Sequence, residues 1–213
     1  ETAVYADSLW KYRIGISEPP ADWKALSFND ATWPEGEGSI GYDDGDDNTI
    51  IDRTESLYMR RKFNVVDKSK IESMVFHADY DDGFVAYLNG VEIARANLEG
   101  NPPPFDAWTP DFREALMYEG GYPVAFYLEQ SSILSLLNDG ENVLAIQTHN
   151  YEGLVSSDMT TLYWLSFGIS DASNDYGPTP NWFITNDFET PLPIIKINTW
   201  GEYIPDEPSI QAE

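Results

Sequence analysis

The stretch "SIGYDDGDDNTIIDRTE", residues 39 to 55, holds five aspartates and a glutamate in seventeen positions. Carboxylates this dense can share a hard cation, or two of them can work as an acid–base pair on one substrate bond. Calcium takes roughly six to eight oxygen ligands, which a flexible loop supplies at short, regular spacings. With Asp44 as the first ligand, Asp46 falls at the third place, Asn48 at the fifth, Asp52 at the ninth and Glu55 at the twelfth.

That is most of the ligand spacing of an EF-hand loop, with two departures. The sixth place is Thr49, where the sharp turn needs glycine, and the flanks read as strand or loop instead of helix. The run is therefore no EF-hand. Asp44, Asp46, Asp47 and Asn48, or some of them, are candidate ligands for a structural Ca2+; the alternative is a solvated turn. Catalysis is the weaker reading. A glycosidase needs two carboxylates about 5–10 Å apart across one bond on a rigid scaffold. A Gly/Asp loop does not preorganise them, and Glu35 and Glu37 lie in a similar Gly/Pro loop.

Other chemistries lack their residues. There is no cysteine, so thiolate sites, cysteine nucleophiles and disulfides are excluded. The two histidines, His77 and His149, are far apart in the chain, and no G-x-x-x-x-G-K-[ST] phosphate loop occurs. The chain is expected not to be an enzyme. Binding chemistry fares better. "NPPPFDAWTPDF" (101–112) and "MYEGGYPV" (117–124) are long loops rich in aromatics, prolines and glycines. Trp108, Tyr118 and Tyr122 lie in them with Asp111 and Arg113 nearby, and Tyr151 follows His149. Loop aromatics can stack on sugar C–H faces while the polar neighbours bond hydroxyls, so these six are candidate ligands for a polysaccharide or glycan. Otherwise they cover an open end of the fold.

The elements that must position these loops are strands. In "LYMRRKFNVV" (57–66) Met59, Phe63 and Val65 share one parity, and Arg60, Lys62 and Asn64 the other. "SMVFHADY" puts Met74, Phe76 and Ala78 on one face, and "TLYWLSFGI" (161–169) reads as a long apolar strand. Asn89-Gly90 between two β-rich runs predicts a tight hairpin. Only "SSILSLLN" (131–138) reads as helix. The pattern predicts an all-β, antiparallel β-sandwich.

With 213 residues, 42% of them hydrophobic, a packed core is expected. The net charge of −25 makes nucleic acid and anionic membrane surfaces poor partners. No apolar run approaches the roughly 18 residues of a membrane span. "SDASNDYGPTPN" reads as a linker. The expected organisation is a sandwich over 1–170, a linker over 171–190 and a tail over 191–213, too short to fold alone. Starting at Glu1 with no methionine or signal-like segment, the chain reads as a mature product or a cut piece.

Four motifs in order carry a resemblance. "ADWKALSFNDATWPEG", "ADYDDGFVAYLNGVEIARAN" and "LNDGENVLAIQTHNYEGLVSSDM" resemble stretches of galactose-binding-like jelly-roll domains, such as the sugar-binding domain of family 2 glycoside hydrolases. Asn29 replaces the first Asp of the family's F-D-D pattern. "IGYDDGDDNT" is similar to a loop of secreted bacterial accessory domains, with Asp43 where glycine is common. Together they span residues 8 to 170. The tail, "LPIIKINTWGEYIPDEPSI", resembles the opening strand of spore-coat-protein-H-like kinase domains. The resemblance implies a jelly-roll accessory module, secreted or at the cell surface, whose partners are a glycan and neighbouring domains of the same chain. Domains of this kind often carry a structural calcium, in loops other than 44–48. A spacer or protein-interaction domain and a non-catalytic fragment of a larger enzyme are the competing readings.

Overall fold

The computed structural model describes residues 1 to 183, apart from 44, 46, 129, 153 to 156 and 171 to 173. Residues Glu1–Thr179 form one compact unit; the remainder begins at Pro180, where Phe183 N–H closes a turn onto the Pro180 carbonyl. The tail 191–213 lies outside the described residues.

Two antiparallel sheets make the compact unit. One has the order β1 (Thr2–Val4), β12 (Thr161–Ile169), β7 (Ile71–Tyr80), β10 (Val124–Leu128). The other has the order β3 (Glu35–Glu37), β2 (Leu9–Ile14), β6 (Ser56–Val65), β11 (Gly140–His149), β8 (Gly83–Leu88), β9 (Val91–Ala96). Two short strands, β4 (Ile40–Gly41) and β5 (Thr49–Ile50), pair in parallel beside them. This is the all-β sandwich that the alternation predicts. Met59, Phe63, Val65, Met74, Phe76 and Ala78 all enter the core between the sheets. Asn89 and Gly90 take φ of 52° and 89° between β8 and β9, as a tight hairpin requires. The helix α1 (Gln130–Leu136) buries Ile133, and Leu137 just after it, against the core.

The six-stranded sheet is covered on its outer face as well. Tyr58, Val85, Tyr87 and Ala145 have the parity opposite to the core residues and pack with Trp23, Trp33 and Leu98 in a second cluster. Trp23 lies edge-on to Tyr58 and Tyr87, with ring centroids 5.0 and 5.8 Å apart. Burial on both faces matches the unbroken apolar stretches FVAYL in β8 and VLAI in β11. It also covers Arg60, which has the parity opposite to the core residues and is 1% exposed. Segment 18–34 folds over it, and its guanidinium bonds Asp30 at 2.9 Å and the carbonyls of Trp23 and Ala25.

The sandwich continues past residue 170 on its first strand. Thr2 and Gly177 exchange backbone hydrogen bonds, the Glu1 carboxylate accepts the N–H groups of Asn174 and Tyr176, and the Tyr176 ring packs on Phe167. Among the described residues no helix is long and apolar enough to cross a membrane.

Candidate functional site

Strand register decides which loops meet. His149 at the end of β11 pairs with Gly83 at the start of β8 and with Ser56 at the start of β6. Thr161 at the start of β12 pairs with Tyr80 at the end of β7. Segments 81–82, 97–123, 150–152 and 157–160 therefore emerge at one end of the sandwich, and the candidate binding loops belong to it.

The strand end "DYDD", residues 79 to 82, organises that end. Asp79 is fully buried and accepts the backbone N–H of Leu116 at 2.8 Å and of Met117 at 2.8 Å. Asp82, 1% exposed, accepts the N–H of Arg113 at 2.6 Å through one oxygen and of Tyr151 at 2.7 Å through the other. Its backbone carbonyl accepts from the Asn97 side chain, which also bonds the Asp111 carbonyl. Gly83 permits this close approach: a Cβ there would lie 2.5 Å from the Asn97 carbonyl oxygen and 2.6 Å from the Thr109 methyl. Asp82 thus caps the turn between β7 and β8 by accepting backbone N–H groups, as aspartate in a turn commonly does.

The sequence-predicted binding residues fall around this knot. Thr109 bridges to Tyr151 in parallel, and its N–H donates to the Asn150 carbonyl at 3.2 Å, so Trp108 and Tyr151 sit on adjoining chain segments. Trp108, Tyr118 and Tyr122 are each 58% exposed. Arg113 lays its guanidinium 3.8 Å from the Tyr80 ring centroid, bonds the Tyr80 carbonyl, and stands 4.0 Å from Asp79. It is a loop clamp. The Asp111 side chain is exposed beside Tyr151, whose hydroxyl pKa is raised by Glu152 first and by Asp111 among others. Tyr122 is exposed in the segment leading into β10.

His149 belongs to the packing under these loops. It is fully buried; its Nδ1 donates to the Ala107 carbonyl at 2.8 Å, and its Nε2 lies 2.9 Å from the Gln147 amide. Burial holds its pKa down to about 4.

Of the four candidate calcium ligands, Asp44 and Asp46 lie outside the described residues. Asp47 Oδ1 accepts from the Ser39 hydroxyl at 2.7 Å, and the Asn48 side chain donates to the Gly38 carbonyl. These two side chains brace the start of their own loop. Tyr42, at its mouth, exchanges backbone hydrogen bonds with Met159, which places the loop next to Asp158.

Asp158 leads to a group that spacing did not single out. Asp81, Glu114 and Asp158 bring carboxylate oxygens within 4.8 Å of one another, Asp81 buried, Asp158 half-buried and Glu114 exposed. Burial raises the Asp81 carboxyl to about 9, and the charges of Asp82, Asp158 and Glu114 add to the shift. Its one sequence signal is period: Asp79 and Asp81 share a parity at the end of a strand buried throughout its second half. Elsewhere, a shallow hollow of about 640 Å³ lies toward the opposite end, lined by Leu26, Phe28, Asp30, Lys62 and Glu141 among others, and takes in none of the loop aromatics.

No family model matches the sequence, and no curated protein does. Solved structures do. A β-glucuronidase of Bacteroides uniformis aligns at TM-score 0.49 and 16% identity, over 78% of this chain and 18% of that one. A Bifidobacterium dentium β-glucuronidase complexed with coumarin-3-O-glucuronide aligns at TM-score 0.44 and 18% identity, over 70% and 20%. A β-glycosidase of Bacteroides vulgatus aligns at TM-score 0.43 and 13% identity, over 78% and 20%. The chain thus spans about a fifth of the length of each.

Proposed function

We propose that this chain is a non-catalytic carbohydrate-binding or accessory module of a larger secreted or cell-surface protein, with a neutral glycan and the neighbouring domains of its own chain as partners. The observation that carries the reading is the Trp108–Tyr151 pairing of loops. An indole 58% exposed stands on a segment bridged to the Tyr151 segment and pinned from below by Asp82. An aromatic held open on a braced loop can stack on a sugar face without reordering the backbone, so little of the stacking free energy is lost to entropy. Asp111 and Glu152 stand beside Tyr151, where their carboxylates can accept from sugar hydroxyls.

Glycan arrays followed by calorimetric titration of neutral polysaccharides test this. An open site with one or two stacking aromatics should bind with Kd near ~0.1–1 mM, and Trp108→Ala should remove the binding. A second reading has its own observation. Phe112 and Leu116, apolar and 65% and 43% exposed, stand among the same loops and suit a protein surface better than a sugar. Failure of every neutral polysaccharide to bind would leave that docking or spacer role in front.

A further inference from the structure

The strand end 79–82 carries three carboxylates, and two of them are satisfied by backbone N–H groups, Asp79 by Leu116 and Met117 and Asp82 by Arg113 and Tyr151. Asp81 differs. It is 2% exposed, and its Oδ1 has no hydrogen-bond partner. A buried carboxylate oxygen without a donor is costly, so it calls for a positive partner. What the fold turns toward it is two more carboxylates, Glu114 and Asp158, from two other loops. Arg113, next to Glu114 in the chain, sends its guanidinium to Tyr80 and Asp79 instead.

We propose that Asp81, Glu114 and Asp158 form a calcium site that ties the turn after β7 to the loop before β10 and to the segment entering β12. All three ligands are hard oxygens, which excludes the nitrogen and sulfur donors that zinc and copper favour. Their oxygens lie within 4.8 Å of one another, close enough for a single ion held at roughly 2.3–2.6 Å from each. Magnesium demands near-octahedral geometry and gives up its water reluctantly, so three carboxylates from three separate loops suit calcium better. The exposure of Glu114 leaves room for water to complete the shell. Three loops from distant parts of the chain converge on the ion, so it would bind the folded state only and would stiffen the end that carries Tyr118 and Tyr151. The site does not depend on glycan binding.

The test is calcium chloride titrated into the full chain, by calorimetry and by melting in calcium against chelator, with terbium emission sensitised by nearby tyrosines as a second readout. One ion should bind, with Kd in the range of roughly 0.1–1 mM seen for extracellular modules. Asp81→Asn should weaken it tenfold or more, and Asp158→Asn and Glu114→Gln several-fold each. The double change Asp44→Ala with Asp46→Ala should leave it intact. In chelator Asp81→Asn should melt close to the unmutated chain, because a neutral amide of the same size takes the place of the buried carboxyl. If Asp81→Asn does not fold, Asp158→Asn at its half-buried position decides the matter. Three results would overturn the proposal: no calcium bound at 10 mM, roughly ten times the weakest expected Kd, which leaves Asp81 protonated against Asp82; affinity unchanged in Asp81→Asn and Asp158→Asn; or affinity lost only in the Asp44/Asp46 double variant, which moves the ion to the acidic run.

Discussion

Asp82 Oδ2 accepts the backbone N–H of Tyr151 at 2.7 Å, joining positions 69 residues apart. Its other oxygen holds Arg113 N–H at 2.6 Å. One buried carboxylate thereby sets the spacing of two loops that carry the candidate binding residues. Hydrogen bonds to a charged acceptor contribute about 1.5–3 kcal/mol each, and their loss leaves buried donors unmet. Asp82→Ala should cost about 3–5 kcal/mol in urea unfolding, and Asp82→Asn less. Limited proteolysis should then cut first within 101–123. A cost under about 1 kcal/mol would mean that other contacts hold these loops.

Arg60 gives a second prediction. Truncation to alanine strands Asp30 and the carbonyls of Trp23 and Ala25 beneath segment 18–34. Removing one partner of a buried ion pair costs about 3–5 kcal/mol. Arg60→Ala should lower the urea midpoint accordingly and expose Trp23 and Trp33 to fluorescence quenchers. Unchanged quenching would show that the tryptophans hold the segment without it.

These two residues mark where the sequence stops being legible. Period-two alternation placed β6 and β7 and the inward faces of their core residues, and a long apolar run placed β12, because parity and apolar runs are local properties. The Asn89-Gly90 turn was equally local. The burial of Arg60 was not legible, because the cover over its face comes from residues 18–34, which no spacing within β6 records. The exposed loop aromatics Trp108, Tyr118 and Tyr122 were legible from proline and glycine content. Asp81 was not, beyond its place in a turn. Its neighbours Glu114 and Asp158 lie in other loops, and only the end-to-end register of β7 with β12 brings Asp158 to it.

The edge at β1 yields a third prediction. Residues 174–177 hydrogen-bond to Glu1 and Thr2, and Tyr176 packs on Phe167. We expect a chain shortened to end at Thr179 to melt like the full one. A chain ending at Ser170 loses these bonds, each contributing about 1 kcal/mol net. With four such bonds at about 2–4 °C per kcal/mol it should melt about 8–16 °C lower. Equal melting of the two would end the sandwich at residue 170.

Acid should weaken the fold through its histidines. His77 and His149 are both buried, and burial lowers each pKa from 6.5 to about 4. A depressed histidine pKa means that the unfolded chain takes up the proton first. The neutral rings therefore cost nothing above pH 6.5, and stability drains as pH falls from there toward 4. At the steep part of that window the two histidine protons alone give a slope of about 2.7 kcal/mol per pH unit, and the proton that buried Asp81 holds only in the folded chain offsets about 1.4 of it. Urea midpoints between pH 7 and 5, above the range where ordinary carboxylates titrate, should follow it. His77→Gln should take about 1.4 kcal/mol per pH unit off the slope. His149→Gln should do so too, at a lower baseline stability, since the Nδ1–H bond to the Ala107 carbonyl is lost under the Trp108 loop. A midpoint flat from pH 7 to 5 would mean that both rings find protonated partners or water in the folded chain.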